Sequence, residues 1–509
     1  MKKYYTGRTR ITIPVSKEDF DLNPLRYIKH YLSNVVSQNQ TNKEEANQLK
    51  DIYKGIQNIW DKTRLNSDTS NNNKVEINHI FRQVEFKKGF MVGNPINYSL
   101  AVSDKSTDDL TYLQKYLRDS NKASLDIDKY EDLYVCGISE QFIVPKTYNF
   151  DEENEAPFEL YNVEVGDGFK VYANDITKKP LFDVVISEVI DDQFRKQTQY
   201  EVYFINNQDG YTYYALFDSK KVLQKNVVKQ PYKFLPLVES ELNKNRMGIV
   251  ELVISIQDGL NAIHSNQIDD IIDFVNAYLV FENQQMGKKE DWEDKVKTFR
   301  KNRAISIKSA NPQLPAKVSL LKQTLQHTEI NAFYELLKKE MYDIVACPQS
   351  SGSVTSGGDT GEARILGNGW ESSQNQAKVD VSYSLQFEYD LLKKILSACR
   401  EKNVKTINEI YASDVDIKYS INMSNNILTK TQALQNLYSM HVPYEESLAV
   451  VGITSDNHGL GEKWAKFDEE AKTISMKMQQ KNLGNDSNDS NDSSKSNKSN
   501  ESNETPKQE

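Results

Sequence analysis

The sequence contains little cysteine and no long hydrophobic run. Its three cysteines, Cys136, Cys347 and Cys399, have no paired spacing, which predicts buried free thiols in a reducing cytoplasm and no disulfide framework. The longest apolar stretches, over residues 249–256 and 274–281, fall far short of the roughly 20 residues that a membrane helix needs. The short apolar runs predict no membrane-spanning helix, and the 27% of charged residues together with a negative mean hydropathy predict a soluble protein.

Basic residues are not in excess either. The 509 residues include 63 Lys+Arg and 73 Asp+Glu, a formal net charge of -10. A protein that grips nucleic acid along its whole surface is usually basic, so that class is disfavoured. Local basic patches, or a conduit that must not bind DNA, are compatible with this charge. The N-terminus is positively charged but has no apolar segment after it, so we expect no signal peptide and assembly inside a cell.

Motifs for catalysis are also missing. Gly352 to Gly357 have the spacing of a phosphate-binding loop, but Gly358 and Asp359 stand where the motif requires Lys followed by Ser or Thr. No Gly-x-Ser-x-Gly nucleophile motif occurs. The histidines lack the spacing of metal ligands to one another or to a cysteine; they are His30, His79, His264, His327, His441 and His458. We therefore expect no enzyme, no cofactor and no metal site.

A long amphipathic helix is predicted over residues 249–277. Apolar residues recur every three or four positions, the spacing of one helix face, and then continue after a shift of one residue; they are Ile249, Leu252, Ile256, Leu260 and Ile263, then Ile268, Ile271, Val275 and Leu279. Asp258, Asp269, Asp270 and Asp273 fall mostly off this stripe, which predicts a packing face and an acidic face. An ordinary core helix with solvated aspartates gives the same pattern.

The other segments predict an α+β chain that is mainly helical. Helices are expected before a β-rich lobe at about 136–240, where apolar residues alternate with the strand period of two. After the long helix we expect a helix at 323–345, a Ser/Gly-rich loop at 349–361, and a helix at 362–401 kinked at Gly367 and Gly369. The Asn/Asp/Ser/Lys repeats of the C-terminal tail cannot bury a core and predict disorder.

A densely charged run precedes the helix at 323–345. It has seven basic residues against four acidic ones, and its basic residues are Lys288, Lys289, Lys295, Lys297, Arg300, Lys301 and Arg303. The run is a salt-bridged surface helix in one interpretation. In the other interpretation it is a docking surface for a partner protein or for DNA phosphates.

The order of these parts resembles phage portal proteins of the long-tailed siphophage type. Residues 234–283 are similar to the family's hallmark segment, in which a Pro-Val-Glu strand and an Asn/Arg turn precede a helix rich in isoleucine and aspartate. Residues 74–99, 361–366 and 442–448 resemble the family's early Gly-x-Pro-Ile segment, the start of its kinked helix and its C-terminal helix turn. The resemblance covers roughly residues 20–475.

The resemblance implies a ring-forming subunit with long stem helices, a β-rich wing lobe and a disordered C-terminal tail. Its implied regions are a wing (1–247), a stem helix (248–277), a clip (278–322), a second stem helix (323–346), a tunnel loop (347–361), a kinked helix and wing strand (362–427), a crown (428–480) and the tail (481–509).

The implied function is that of a twelve-subunit portal ring at one capsid vertex of the virion. Such a ring is the conduit for packaging and ejecting double-stranded DNA, and it docks terminase, the head-completion adaptor, and the major capsid and scaffolding proteins, without contact to a membrane. Asp258, Asp269, Asp270 and Asp273 would line the channel, and the basic residues of 288–303 would dock partners at the clip. The implied tunnel loop consists of Ser350, Ser351, Gly352, Ser353, Val354, Thr355, Ser356, Gly357 and Gly358.

An acidic wall suits a conduit, because strong phosphate contacts would hold the duplex in place. Two other classes stay open at this point. One is a DNA-packaging enzyme, an ATPase or nuclease, against which the incomplete phosphate loop and the missing metal spacing argue. The other is a monomeric binding module of a phage tail or cell surface, which a monomeric mass in solution would favour.

Overall fold

The computed structural model describes residues 7–61, 63, 72–101, 107–148, 150–151, 154–190, 193–224, 226–275, 279–283, 309–311, 313–315, 317–320, 327–349, 369–402, 407, 409–421, 427–451 and 457–485. Helix accounts for about 53% and strand for about 19%, so the fold is mixed and mainly helical, as predicted. The chain divides into two compact units, Met1–Met423 and Ser424–Glu509. The predicted disordered tail lies outside the described residues from residue 486 onward.

The N-terminal part of the first unit is mainly helical, and capping residues explain where its longest helix begins and ends. The helices of this part are α1 (Lys17–Leu22), α2 (Pro24–Lys54), α3 (His79–Val92), α4 (Thr107–Asp119) and α5 (Lys122–Cys136). The Asn23 side chain caps α2 by accepting a hydrogen bond from the Arg26 N–H at 3.3 Å, and Pro24 occupies the first turn, where no N–H is needed. The helix ends at Gly55, whose φ of 101° favours glycine.

Most strands lie in the region where the alternating pattern predicted a β-rich lobe, although the first strand precedes α1 and the second lies between α3 and α4. The strands are β1 (Ile11–Ile13), β2 (Asn97–Leu100), β3 (Ile138–Pro145), β4 (Phe158–Val163), β5 (Gly168–Ala173), β6 (Pro180–Ile190), β7 (Lys196–Ile205), β8 (Thr212–Phe217), β9 (Val228–Lys229) and β10 (Leu237–Glu241). One sheet has the order β1-β5-β6-β7-β8-β9, and β10-β3-β4 form a second sheet. The β1–β5 pair is parallel, and the other pairs in these two sheets are antiparallel.

The rest of the first unit contains two long helices, a strand pair and a third long helix. The elements are α6 (Ile249–Val275), β11 (Leu279–Glu282), β12 (Lys317–Leu320), α7 (His327–Ile344), α8 (Trp370–Glu401) and β13 (Val415–Lys418). Strands β11 and β12 pair antiparallel, and β13 pairs antiparallel with β2. Helix α8 begins after Gly369, whose φ of 80° is not helical, so the prediction that Gly369 forms a kink inside a helix was wrong. The predicted kink at Gly367 lies outside the described residues.

Three hydrophobic clusters hold the first unit together. Ile28, Leu32 and Val35 of α2 pack against the six-stranded sheet. A second cluster joins α8 to α4, β2, β3 and β13, and a third joins α3 and α5 to α6 and α7. The third cluster anchors the base of α6, so the long helix belongs to the core of the unit.

The second unit consists, in its described part, of α9 (Ile427–Ser439), α10 (Tyr444–Val451) and α11 (Asn457–Asn485). The Tyr438 and Tyr444 rings stack with centroids 5.3 Å apart, and Trp464 meets Tyr444 edge-on at 5.8 Å. These aromatic contacts join the three helices.

The three cysteines are free and buried, as predicted. Burial raises the pKa of the Cys347 and Cys399 thiols to about 12 and raises that of Cys136 as well. All three therefore stay protonated at neutral pH and are poor nucleophiles.

A buried ion cluster ties α8 to α5. Glu388 lies 2.7 Å from Lys122 Nζ and 3.1 Å from Lys129 Nζ, and it accepts a hydrogen bond from the Tyr98 hydroxyl at 2.6 Å. Burial alone would raise the pKa of Glu388, but the two lysine charges outweigh it and hold that pKa well below its usual range. Burial raises the pKa of the neighbouring Asp126 to about 6, against the pull of Lys122.

Replacing Glu388 tests whether this cluster stabilises the unit. We expect Glu388→Gln to lower the free energy of unfolding by about 3–5 kcal/mol, because it leaves two buried lysines without their shared carboxylate. Urea unfolding followed by circular dichroism at pH 7 measures this loss. Glu371→Gln, at an exposed position of the same helix, is the matched control and should change stability by well under about 1 kcal/mol. Equal stabilities of the two variants would contradict the assignment.

Candidate functional site

The candidate site is built on α6 and α7, which pack antiparallel. Gln267 donates a hydrogen bond to Asn331 Oδ1 at 2.9 Å, and His264 meets the Tyr334 ring edge-on at 4.3 Å. The partner number on α7 rises as the number on α6 falls, which gives the antiparallel direction. The two helices therefore form an antiparallel pair.

The face of α6 that is buried differs from the predicted one. The buried side carries Ile249, Val250, Val253, Ile254 and Leu260 near its start. Leu252, expected in the packing stripe, is 45% exposed, and Ile256 and Ile263 are only half-buried. The predicted packing stripe is therefore confirmed at Ile249 and Leu260 but wrong at Leu252, because the prediction counted apolar residues alone.

Polar residues continue the buried face toward the end of α6. Gln257, Asn261, Ser265 and Asp269 recur at every fourth residue, and each is at most 4% exposed. We call these four residues the polar stripe. Such side chains are costly to bury unless they are hydrogen-bonded, so the stripe requires a partner that supplies polar groups along its length.

That partner is the extended segment of residues 72–78, which we call the strap. The backbone N–H groups of Asn73, Val75 and Ile77 donate to Asp269 Oδ1 at 2.9 Å, Ser265 Oγ at 3.0 Å and Asn261 Oδ1 at 3.1 Å, respectively. Gln257 Nε2 completes the set by donating to the Ile77 carbonyl at 2.7 Å.

The two spacings match for a geometric reason. Four helical residues rise about 6 Å, and two extended residues span roughly 6.6 Å. Every second strap N–H therefore meets every fourth α6 side chain. The strap N–H groups donate to α6 side-chain oxygens in the way that the N–H groups of a β-strand donate to the carbonyls of a neighbouring strand.

The four predicted channel aspartates have different environments. Asp269 is 1% exposed and also accepts a hydrogen bond from Asn73 Nδ2 at 2.6 Å, so in this subunit it faces the strap. Asp258 is half-buried and accepts from Asn58 Nδ2 at 2.9 Å. Asp270 is exposed. Asp273 belongs to α6, but its side chain lies outside the described part. Of the three described side chains, only that of Asp270 is exposed.

The start of α6 is fixed by a buried ion pair. Glu251 accepts hydrogen bonds from Arg8 at 2.5 Å and from the Gly248 N–H at 2.8 Å. Burial raises the pKa of Glu251 despite the charge of Arg8. The Arg8 guanidinium also contacts Glu45 at 3.0 Å, so one residue links the first turn of α6 to α2.

A histidine and two tyrosines join α3 to α7. His79 Nε2 lies 2.9 Å from the Tyr334 hydroxyl, and Nδ1 lies 3.5 Å from the Tyr342 hydroxyl. Burial, followed by the nearby charges of Lys338 and Arg82, lowers the pKa of His79 to about 4. His79 is therefore neutral at pH 7 and links α3 to α7 through its hydrogen bonds.

Two sets of predicted site residues fall outside the described part of the chain. They are the tunnel-loop residues 350–358 and the basic clip residues of 288–303. The described residues place the β11–β12 pair at the base of the predicted clip.

Neither a metal site nor a membrane helix occurs among the described residues. There, no group of three or more His, Cys, Asp or Glu side chains is arranged to hold a metal ion. In the same residues, no helix combines the length and the apolar character needed to span a membrane.

Comparison with known families gives the class of protein, and the mixed, mainly helical fold is consistent with it. The family model described as phage portal protein, SPP1 Gp6-like, matches residues 32–500. The chain is a phage portal protein and belongs to the SPP1 Gp6-like family, which confirms the resemblance seen in the sequence. This family is structural, and its members are virion components. No curated protein matches the chain.

Sequence reasoning missed the strap and the polar stripe. A signal was present, because Gln257, Asn261, Ser265 and Asp269 are spaced by four residues. A helix face of polar residues that continues an apolar face indicates a buried hydrogen-bonding partner. The identity of that partner, about 180 to 200 residues earlier in the chain, has no local signal.

Replacing Asp269 tests the attachment of the strap. We expect Asp269→Ala to speed amide hydrogen exchange of residues 73–77 by about tenfold, because it removes a charged acceptor worth about 1.5–3 kcal/mol. Asp270→Ala, one residue along and exposed, is the control and should leave these rates unchanged. Identical rates in both variants would show that the strap does not depend on Asp269.

The His79 junction predicts a pH dependence. A histidine whose pKa is lower in the folded state stabilises fully above its unfolded pKa of about 6.5, and that stability is lost as the pH falls toward about 4. Between pH 7 and pH 5 we expect the wild type to lose about 1 kcal/mol more unfolding free energy than His79→Gln, a figure reduced for partial exposure. Urea unfolding at both pH values measures the difference, and His30→Gln, at an exposed site, should follow the wild type.

Proposed function

We propose that this portal protein assembles into a closed ring at one capsid vertex and forms the conduit for packaging and ejecting double-stranded DNA. The observation that carries the proposal is the family match over residues 32–500. The family implies a ring assembly and association with the capsid. Twelve subunits, and docking sites for terminase, the head-completion adaptor, and the major capsid and scaffolding proteins, are the finer parts of the proposal.

The paired rods supply the wall of the conduit in this proposal. Helices α6 and α7 correspond to the stem, the segment between them to the clip, and the second unit to the crown. The 27 residues of α6 give a rod about 40 Å long, enough to follow a duplex for more than one helical turn.

The net charge of the subunit supports a channel that does not bind tightly to the DNA inside it. The subunit carries a net charge of -10, so non-specific affinity for phosphates is low. We assign Asp270 to the bore, together with Asp273 on the same stretch of helix. Asp258 and Asp269 contribute through their local hydrogen bonds to Asn58 and Asn73, which set the position of α6.

Ring formation is the direct test of the proposal. Negative-stain images and mass measurements of the purified protein should show rings with a central hole and a mass that is a multiple of 58.5 kDa. A protein that stays monomeric at high concentration would overturn the proposal.

The charge of the bore is tested by reversing Asp270. We expect rings of Asp270→Lys to retain double-stranded DNA with a steep salt dependence, because each new cation can neutralise a phosphate and adds about 0.9 to the slope of log K against log salt. Glu18→Lys, on α1 at an exposed site 3.7 Å from Lys179, is the control that changes the net charge equally. Equal DNA retention by the two variants, measured by filter binding from 50 to 200 mM salt, would remove Asp270 from the bore.

A further inference from the structure

Helix α11 of the second unit is much longer than the helices that pack against it. It has 29 residues and is about 44 Å long, whereas α9 has 13 residues and α10 has 8. Its aromatic and hydrogen-bond contacts to α9 and α10 involve Trp464 and Asp468. Every residue from 469 to 477 is exposed. A helical segment of this length without tertiary contacts is only marginally stable in water, so it needs a further partner to stabilise it.

The sequence of α11 indicates another helix as that partner. Leu460, Trp464, Phe467, Ala471 and Ile474 alternate steps of four and three residues, the spacing of a coiled-coil seam. Phe467 is 73% exposed and Ile474 is 55% exposed. We call this line of residues the α11 seam.

The first half of the α11 seam lines one side of an aromatic groove. A cavity of about 480 Å³ is lined by residues that include Leu434, Tyr438, Tyr444, Trp464 and Phe467. Trp464 and Phe467 belong to both the groove and the seam, so the two form one continuous apolar surface. Asp468, at the edge of the groove, already contacts Lys472 at 3.0 Å and accepts a hydrogen bond from the Tyr438 hydroxyl at 3.3 Å. Because this carboxylate is already paired, an apolar side chain suits the groove better than a cation does.

The chain's own tail does not supply this occupant, because residues 486–509 contain no aliphatic or aromatic residue. A ring does supply one, since every subunit presents the same groove and the same seam to its neighbours. An interface between two different patches of identical subunits gives a ring when the rotation from copy to copy closes, and an open filament when it does not.

We propose that the groove and seam of one subunit receive α11 of a neighbouring copy, with Ala471 and Ile474 packed into the aromatic groove. This inference rests on the proposed ring assembly and adds the contact that joins neighbouring copies in the second unit. Burying these side chains against aromatic rings supplies the packing that residues 469–477 lack within the subunit.

Hydrogen exchange of the assembled full-length protein tests the contact. We expect amides of residues 469–485 to exchange at least about tenfold more slowly in the wild-type ring than in unassembled wild-type subunits. Ile474→Asp should abolish this protection or the assembly itself. Met476→Asp is the matched control, because Met476 is 63% exposed on the same helix but lies off the seam.

The outcomes separate the two proposals. Rings whose residues 469–485 exchange as fast as an unstructured peptide would overturn the contact and leave the ring intact. Equal protection in Ile474→Asp and Met476→Asp rings, or the same protection in unassembled subunits, would also overturn it. A wild-type mass of 58.5 kDa at all concentrations would overturn the ring, and with it this inference.

Discussion

The structure of the first unit depends on the hydrogen bonding between the strap and the polar stripe of α6. A long helix that leaves a compact core has few apolar contacts near its far end, so something else must hold it. Here Asn261, Ser265 and Asp269 accept hydrogen bonds from alternate N–H groups of the strap, and Arg8 binds Glu251 at the opposite end of the helix. Helix α6 is thereby attached to its own subunit along most of its length, while its exposed side stays available for assembly.

The same attachment divides the acidic residues of α6 by role. A carboxylate that accepts backbone N–H groups positions the helix, and a carboxylate in solvent sets its surface potential. Asp269 belongs to the first kind and Asp270 to the second, although they are adjacent in the sequence. In the conduit that we propose, the distinction matters, because α6 would have to keep its position while a duplex moves past it. Net negative charge alone would not provide both properties.

Much of the fold could be predicted from the sequence, because its signals are local. The period of two within residues 136–240 indicates the β-rich lobe in which β3 to β10 lie, and the apolar spacing after Met247 indicates α6. Gly55 and Asn23 mark the ends of α2 by their conformational and capping preferences. What could not be predicted is non-local: Leu252 is exposed and Gln257 is buried because of what packs on α6 from distant parts of the chain. The family resemblance predicted the class of protein, whereas the positions of the side chains are seen only in the structure.

The burial of the native thiols has a practical consequence for following this portal at work. Cys136, Cys347 and Cys399 are enclosed in the first unit and protonated at neutral pH, so they react slowly with maleimides. A single cysteine introduced on the surface would therefore take a fluorophore or spin label selectively, without first removing the natural ones. Distances between labelled subunits of the proposed ring would then be measurable in an otherwise unaltered chain.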